Sequence, residues 1–108
     1  MNLENNPTVD DLRTLLSVQN DDAGHHIVWV DASGNVHVDT VPDDDSPVGF
    51  ARSLPNVKLR LETLQAGNGY TGPEAAKDDD WVKRLFNGLV ENWPSAKTAK
   101  TPCYRDMY

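Results

Sequence analysis

Glycines at positions 67, 69 and 72 give the chain a literal G-x-G-x-x-G followed by Pro73, the spacing that cradles a pyrophosphate in dinucleotide sites. That chemistry needs more than glycines. The strand before it must be buried on both faces, hence almost unbroken in apolar residues, and the helix after it must lead to a second parallel strand. Here the preceding segment alternates, with Val57, Leu59, Leu61 and Thr63 on one face and Lys58, Arg60 and Glu62 on the other. Glu74, Asp78, Asp79 and Asp80 crowd the start of the following helix and repel the phosphate that a helix N-terminus attracts. A kinase-type loop fails too, because it joins two strands and continues G-x-V instead of into proline. The segment reads as a corner, with glycines supplying positive φ and Asn68-Gly69 a tight turn.

The remaining chemistry-bearing residues do not converge. Asp31-Ala32-Ser33-Gly34-Asn35 places oxygen ligands at alternate positions like the opening of a calcium loop, but Val36 and Pro42 stand where an EF-hand requires glycine and glutamate. His25 and His26 are adjacent on an extended segment and point to opposite faces, and His37 lies opposite Trp29, so three imidazoles cannot share one ion. A surface histidine stacked on Trp29 is the simpler reading. Cys103 is the single cysteine and sits in a polar tail that gives it no rigid setting, and no glycine-flanked nucleophilic serine occurs. Lys58, Arg60 and Glu62 match an ordinary solvated sheet face, on which Arg60, Glu62 and His37 meet if the third strand joins the hairpin. Asp43 to Asp45 and Asp78 to Asp80 could imitate nucleic-acid phosphates, yet a turn and a helix start account for both runs.

These residues must be positioned by a small frame. The chain has 108 residues, of which Leu, Ile, Val and Phe supply 24, enough for one modest core. Its net charge is −7, with residues 1–45 at −9 and residues 46–108 at +2. The first half repels nucleic acid and anionic lipid, while the second can pair with that half or with an acidic partner. No apolar run reaches membrane-spanning length and no basic-then-apolar leader opens the chain, so a cytoplasmic protein is expected.

Thr8 caps a helix over about 8–18, with an acid at the third helical position and Val9, Leu12, Leu15 and Leu16 on one face. His26–Asp31 and Val36–Val41 form a hairpin around Ala32-Ser33-Gly34, with Gly34 in the left-handed position. The loop sets Val30 against Val36, Trp29 against His37, Val28 against Val38 and Ile27 against Asp39. Val28, Val30, Val36 and Val38 then face a core, and the other face is partly wet or covered by something polar. A short helix over Val48–Ser53 stops at Leu54-Pro55-Asn56, a third strand follows near 57–65, and a helix starts near Asp79. Its stripe of Trp81, Val82, Leu85, Phe86, Leu89, Val90 and Trp93 ends at Pro94. Residues 94–108 read as a mobile basic tail without a further strand, and residues 1–93 as a single domain.

The expected fold is α+β in two layers: a three-stranded antiparallel sheet with N-terminal, short central and C-terminal helices in the order α-β-β-α-β-α. Whether the third strand joins the first or the second is left open by the sequence. The preferred function is a small acidic non-catalytic protein-interaction module, binding a protein partner or forming a homo-oligomer, with no nucleic acid, membrane, metal or cofactor involved. Its expected contact residues are Gln65, Asn68, Tyr70 and Thr71 at the glycine corner, with Trp29 and His37 on the less apolar sheet face. The alternative is a small-ligand or enzymatic domain using the Gly67 to Gly72 corner and the polar face of the third strand.

Overall fold

A computed structural model of the chain describes residues 1–17, 25–41, 47–62 and 76–106. The order is α1 (Val9–Ser17), β1 (His25–Asp31), β2 (Val36–Val41), α2 (Pro47–Ser53), β3 (Val57–Glu62), α3 (Asp79–Thr98) and β4 (Cys103–Asp106). The class is α+β. The strands form one mixed sheet in the order β2-β1-β3-β4, antiparallel except for the β3–β4 pair.

Helix α1 begins with a reciprocal cap. The Asp11 N–H donates to Thr8 Oγ1 at 3.2 Å, and the Thr8 N–H donates to Asp11 Oδ2 at 3.0 Å, so two backbone donors left over at the helix start are satisfied. Leu12 and Leu16 are buried from this helix. Helix α3 starts where the acids suggested, with Asp78 as N-cap accepting from the Trp81 N–H at 3.0 Å. It buries Trp81, Val82, Leu85, Gly88, Leu89, Trp93 and Ala96, a 3.6-residue stripe that leaves Val90 exposed. Arg13 of α1 pairs with Asp79 of α3 at 2.5 Å, tying the two helices together.

The β1–β2 register is the one set by the three-residue loop: Val30 against Val36, Trp29 against His37, Val28 against Val38 and Ile27 against Asp39. Gly34 has φ +90° and donates its N–H to the Asp31 carbonyl at 3.0 Å. Val28, Val30, Val36, Val38, Leu59 and Leu61 form the sheet side of the main core, covered by Leu12, Leu16, Trp81, Val82, Leu85, Leu89 and Trp93 from α1 and α3.

The expected three-stranded antiparallel sheet is corrected in several respects. Cys103–Asp106, in the segment read as a mobile tail, adds a fourth strand parallel to β3. This is possible because α3 runs past Pro94 to Thr98 and carries the chain back along the sheet. Pro94 removes one backbone hydrogen bond, but the helix retains apolar anchors on both sides of it in buried Trp93 and Ala96. The third strand joins β1, which becomes a central strand. Between Val30 and Asp31 the register against β3 shifts, Val30 facing Leu59 and Asp31 facing Val57, so that Lys58 is the extra residue of a bulge. Val57 is thereby turned to the face opposite Leu59, and Lys58 Nζ donates to the Ala99 carbonyl at the end of α3 at 2.7 Å. That second face is covered by apolar rather than polar groups, since Phe50 of α2 and the following Leu54 pack on Ile27, Trp29, Val41 and Val57. The short central helix therefore lies on the opposite side of the sheet from α1 and α3.

Candidate functional site

The outer face of the sheet, beside α2, carries a row of four side chains, one from each strand. His37 on β2 pairs with Trp29 on β1, Trp29 pairs with Arg60 on β3, and Arg60 pairs with Tyr104 on β4. The Trp29 and His37 rings stack with centroids 4.1 Å apart and planes 15° from parallel. Trp29 Nε1 donates to Asp39 Oδ2 at 2.6 Å. Arg60 lies over the Tyr104 ring, its guanidinium carbon 4.8 Å from the centroid, and Nη1 donates to the Tyr104 hydroxyl.

Asp31 anchors the turn end of this row. Its Oδ1 accepts from the N–H groups of Ser33 at 2.9 Å and Asn35 at 3.0 Å, and its Oδ2 lies 3.0 Å from His37 Nε2. With the carboxylate ionised, Nε2 carries the hydrogen. The loop that resembled a calcium site is therefore closed on itself by Asp31. Partial burial by itself raises the Asp31 pKa, but the bonds from His37, the two backbone N–H groups and the Asn35 side chain outweigh it, and the net shift is downward. A folded-state pKa below the unfolded one stabilises the fold above the unfolded carboxylate value of about 3.9, and that contribution is lost as pH falls through the folded value. Asp31→Asn should therefore lower the melting temperature at neutral pH and leave it close to that of the parent in strong acid. Melts across the acid range check this, and an offset that stays constant with pH would count against the Asp31 network.

No family model, curated protein or solved structure matches this chain. Assignment therefore rests on chemistry and geometry. Among the described residues no group of three or more His, Cys, Asp or Glu side chains is placed to hold a metal ion, and no helix is long and apolar enough to cross a membrane. A cleft of about 310 Å³ lined by Met1, Asp11, Thr14 and Leu15 lies against α1, away from the outer sheet face.

Of the contact residues expected from sequence, Gln65, Asn68, Tyr70 and Thr71 lie outside the described residues, as does the Gly67 to Gly72 corner. Trp29 and His37 are brought together, but Trp29 is only 7% exposed and belongs to the second core. His37 and the flanking Asp31 and Asp39 are partly exposed. The β3 face read as solvated holds Arg60 at 5% exposure, the one buried charged side chain among the described residues. Sequence reasoning missed Tyr104, which is 48% exposed beside it. An aromatic in an otherwise polar terminal segment was the available signal.

The two sheet edges differ. At β2, the Val36 N–H donates to the Met1 carbonyl at 2.9 Å, and Asn2 bridges to Asn35, so the N-terminal residues shield the start of that edge. At β4 no described strand follows. Lys100, shortly before β4, and Arg105, on it, are exposed cations.

Proposed function

We propose that the chain is a non-catalytic protein-interaction module that receives an extended segment of an acidic protein partner along the edge of β4, with Tyr104 as the anchoring side chain. The observation that carries this reading is the pairing of an edge strand that has no further strand beside it among the described residues with a half-exposed tyrosine whose ring is held in place by Arg60. Edge strands offer unpaired main-chain groups to an added strand, and side-chain contacts then supply the specificity. Tyrosine and arginine are the residues on which interface energy concentrates, because a ring held by packing loses little freedom on binding. Lys100 and Arg105 favour an acidic partner, in keeping with the positive balance of residues 46–108.

Selection from a displayed random-peptide library tests this. Expected are extended acidic sequences whose binding to Tyr104→Ala falls on the order of thirtyfold, as for loss of a hot-spot residue, with the amide spectrum confirming that the variant is folded. Peptides that bind the variant as tightly as the parent would end the proposal. A parent chain that sediments as a dimer, with the dimer lost in Tyr104→Ala, would identify a second copy as the partner instead.

A further inference from the structure

We propose that Arg60 is the seat of a carboxylate supplied by a binding partner or a small acid. A guanidinium is charged at every accessible pH, and burying one without a counter-charge is costly. Arg60 is 5% exposed, and its cross-strand neighbours are the aromatic rings of Trp29 and Tyr104. Among the side chains that the structure describes, which do not include those of Glu62 and Asp106, it has no ion-pair partner. Its Nη1 is taken by the Tyr104 hydroxyl, and its Nε is buried without an acceptor. A neutral phenol and a ring face answer only part of a full positive charge. What remains is the Nε and Nη2 side of the guanidinium, two parallel donors whose spacing matches the two oxygens of a carboxylate. Tyr104 belongs to a four-residue edge strand and is half exposed, so the approach to Arg60 lies along the surface offered for strand addition. A glutamate or aspartate on an added strand, or a free small carboxylic acid, supplies the same fork-matching group.

The test follows the Arg60 Nε–Hε resonance of the full-length ¹⁵N-labelled chain, assigned by its loss in Arg60→Lys. One arm adds sodium acetate against sodium chloride of equal ionic strength. The other adds a blocked Val-Thr-Glu-Thr-Val peptide against the same peptide carrying glutamine. Acetate is expected to move the resonance saturably where chloride does not. If the natural source is a protein segment, the glutamate peptide does so at a concentration on the order of tenfold lower, because strand pairing and the carboxylate act together. Equal potency of acetate and peptide points to a free small acid. The peptide arm rests on the strand-addition reading and the acetate arm does not, so β4 amides that ignore the peptide while acetate still moves Arg60 would remove that reading alone. A resonance that stays in place with acetate and with both peptides overturns the seat. So does a resonance already at its bonded position that shifts in Glu62→Gln, which would give Arg60 an internal counter-ion two residues along its own strand.

Discussion

Trp29→Ala is expected to cost about 3–5 kcal/mol, the range for truncating a buried tryptophan, and to lower the melting temperature by more than about ten degrees. The ring joins three structures. It stacks on His37, its Nε1 donates to Asp39, and its apolar surface packs with Ile27, Val41 and Val57 beneath Phe50 and Leu54. Alanine forfeits all of these and leaves a cavity between the sheet and α2. Trp29→Phe keeps the apolar contact and part of the stack but leaves the Asp39 oxygen without its donor, an intermediate loss of about 1–3 kcal/mol. Urea unfolding of both variants separates packing from the hydrogen bond. A Trp29→Ala chain as stable as the parent would mean that the ring is surface, as the sequence alone suggested, and not core. At 7% exposure it has little area to offer a partner, which is why the interaction surface is assigned to Tyr104.

The hairpin was legible because two independent periodicities agree. Alternation puts four valines on one face, and a three-residue loop with Gly34 in the left-handed position permits only one register. Helix α3 was legible at its start for similar reasons, since the acids, the capping Asp78 and the apolar stripe all begin there. Its end was not. A proline in an amphipathic helix is read as a stop, yet Trp93 and Ala96 bury their side chains on either side of Pro94, and that burial offsets one missing backbone bond.

The bulge at Lys58 left no trace in sequence, because Val57-Lys58-Leu59 alternates whether or not a residue is skipped by the partner strand. β4 was invisible for a different reason. Cys103-Tyr104-Arg105-Asp106 has no β-rich apolar pattern, and it owes its strand conformation to pairing with β3 while Cys103 packs on the core and Arg105 Nε donates to Asn92 of α3 at 2.9 Å. The site depends on that strand. Arg60 read as solvated because half of an alternating strand normally is. Tyr104, brought alongside by a parallel crossover, turns its surroundings into an aromatic slot. A tertiary pairing between residues 44 positions apart thus decided the character of a residue that local pattern could not.

Gly34→Ala is expected to destabilise the chain by about 2–4 kcal/mol, from backbone strain of about 1–3 kcal/mol and overpacking of similar size that add only in part. At φ +90° a side chain is strained whatever the space around it. The space is also lacking. A Cβ at this position would lie 3.1 Å from Asn2 Oδ1, 3.1 Å from Glu4 Cγ and 3.5 Å from Trp93 Cζ2. Glu4 is exposed and can swing aside, and the Trp93 contact is ordinary. Asn2 cannot move without loss, because its Oδ1 accepts from the Glu4 N–H at 2.7 Å while its Nδ2 donates to the Ser33 carbonyl at 3.1 Å and to Asn35 Oδ1 at 2.9 Å. The same segment donates the Leu3 N–H to the Gly34 carbonyl at 2.8 Å and accepts the Val36 N–H at the Met1 carbonyl. Displacing Asn2 therefore loosens the whole shield over the start of the β2 edge. Thermal melts measure the stability loss, and amide hydrogen exchange at Leu3 and Val36 distinguishes its two sources. Faster exchange at both amides, beyond that of a variant equally destabilised in the main core, marks release of the N-terminal residues; exchange that merely follows global stability assigns the cost to the φ of the loop alone. A released segment would leave the start of the β2 edge open, and self-association rising with concentration in Gly34→Ala but not in the parent is the consequence expected of it.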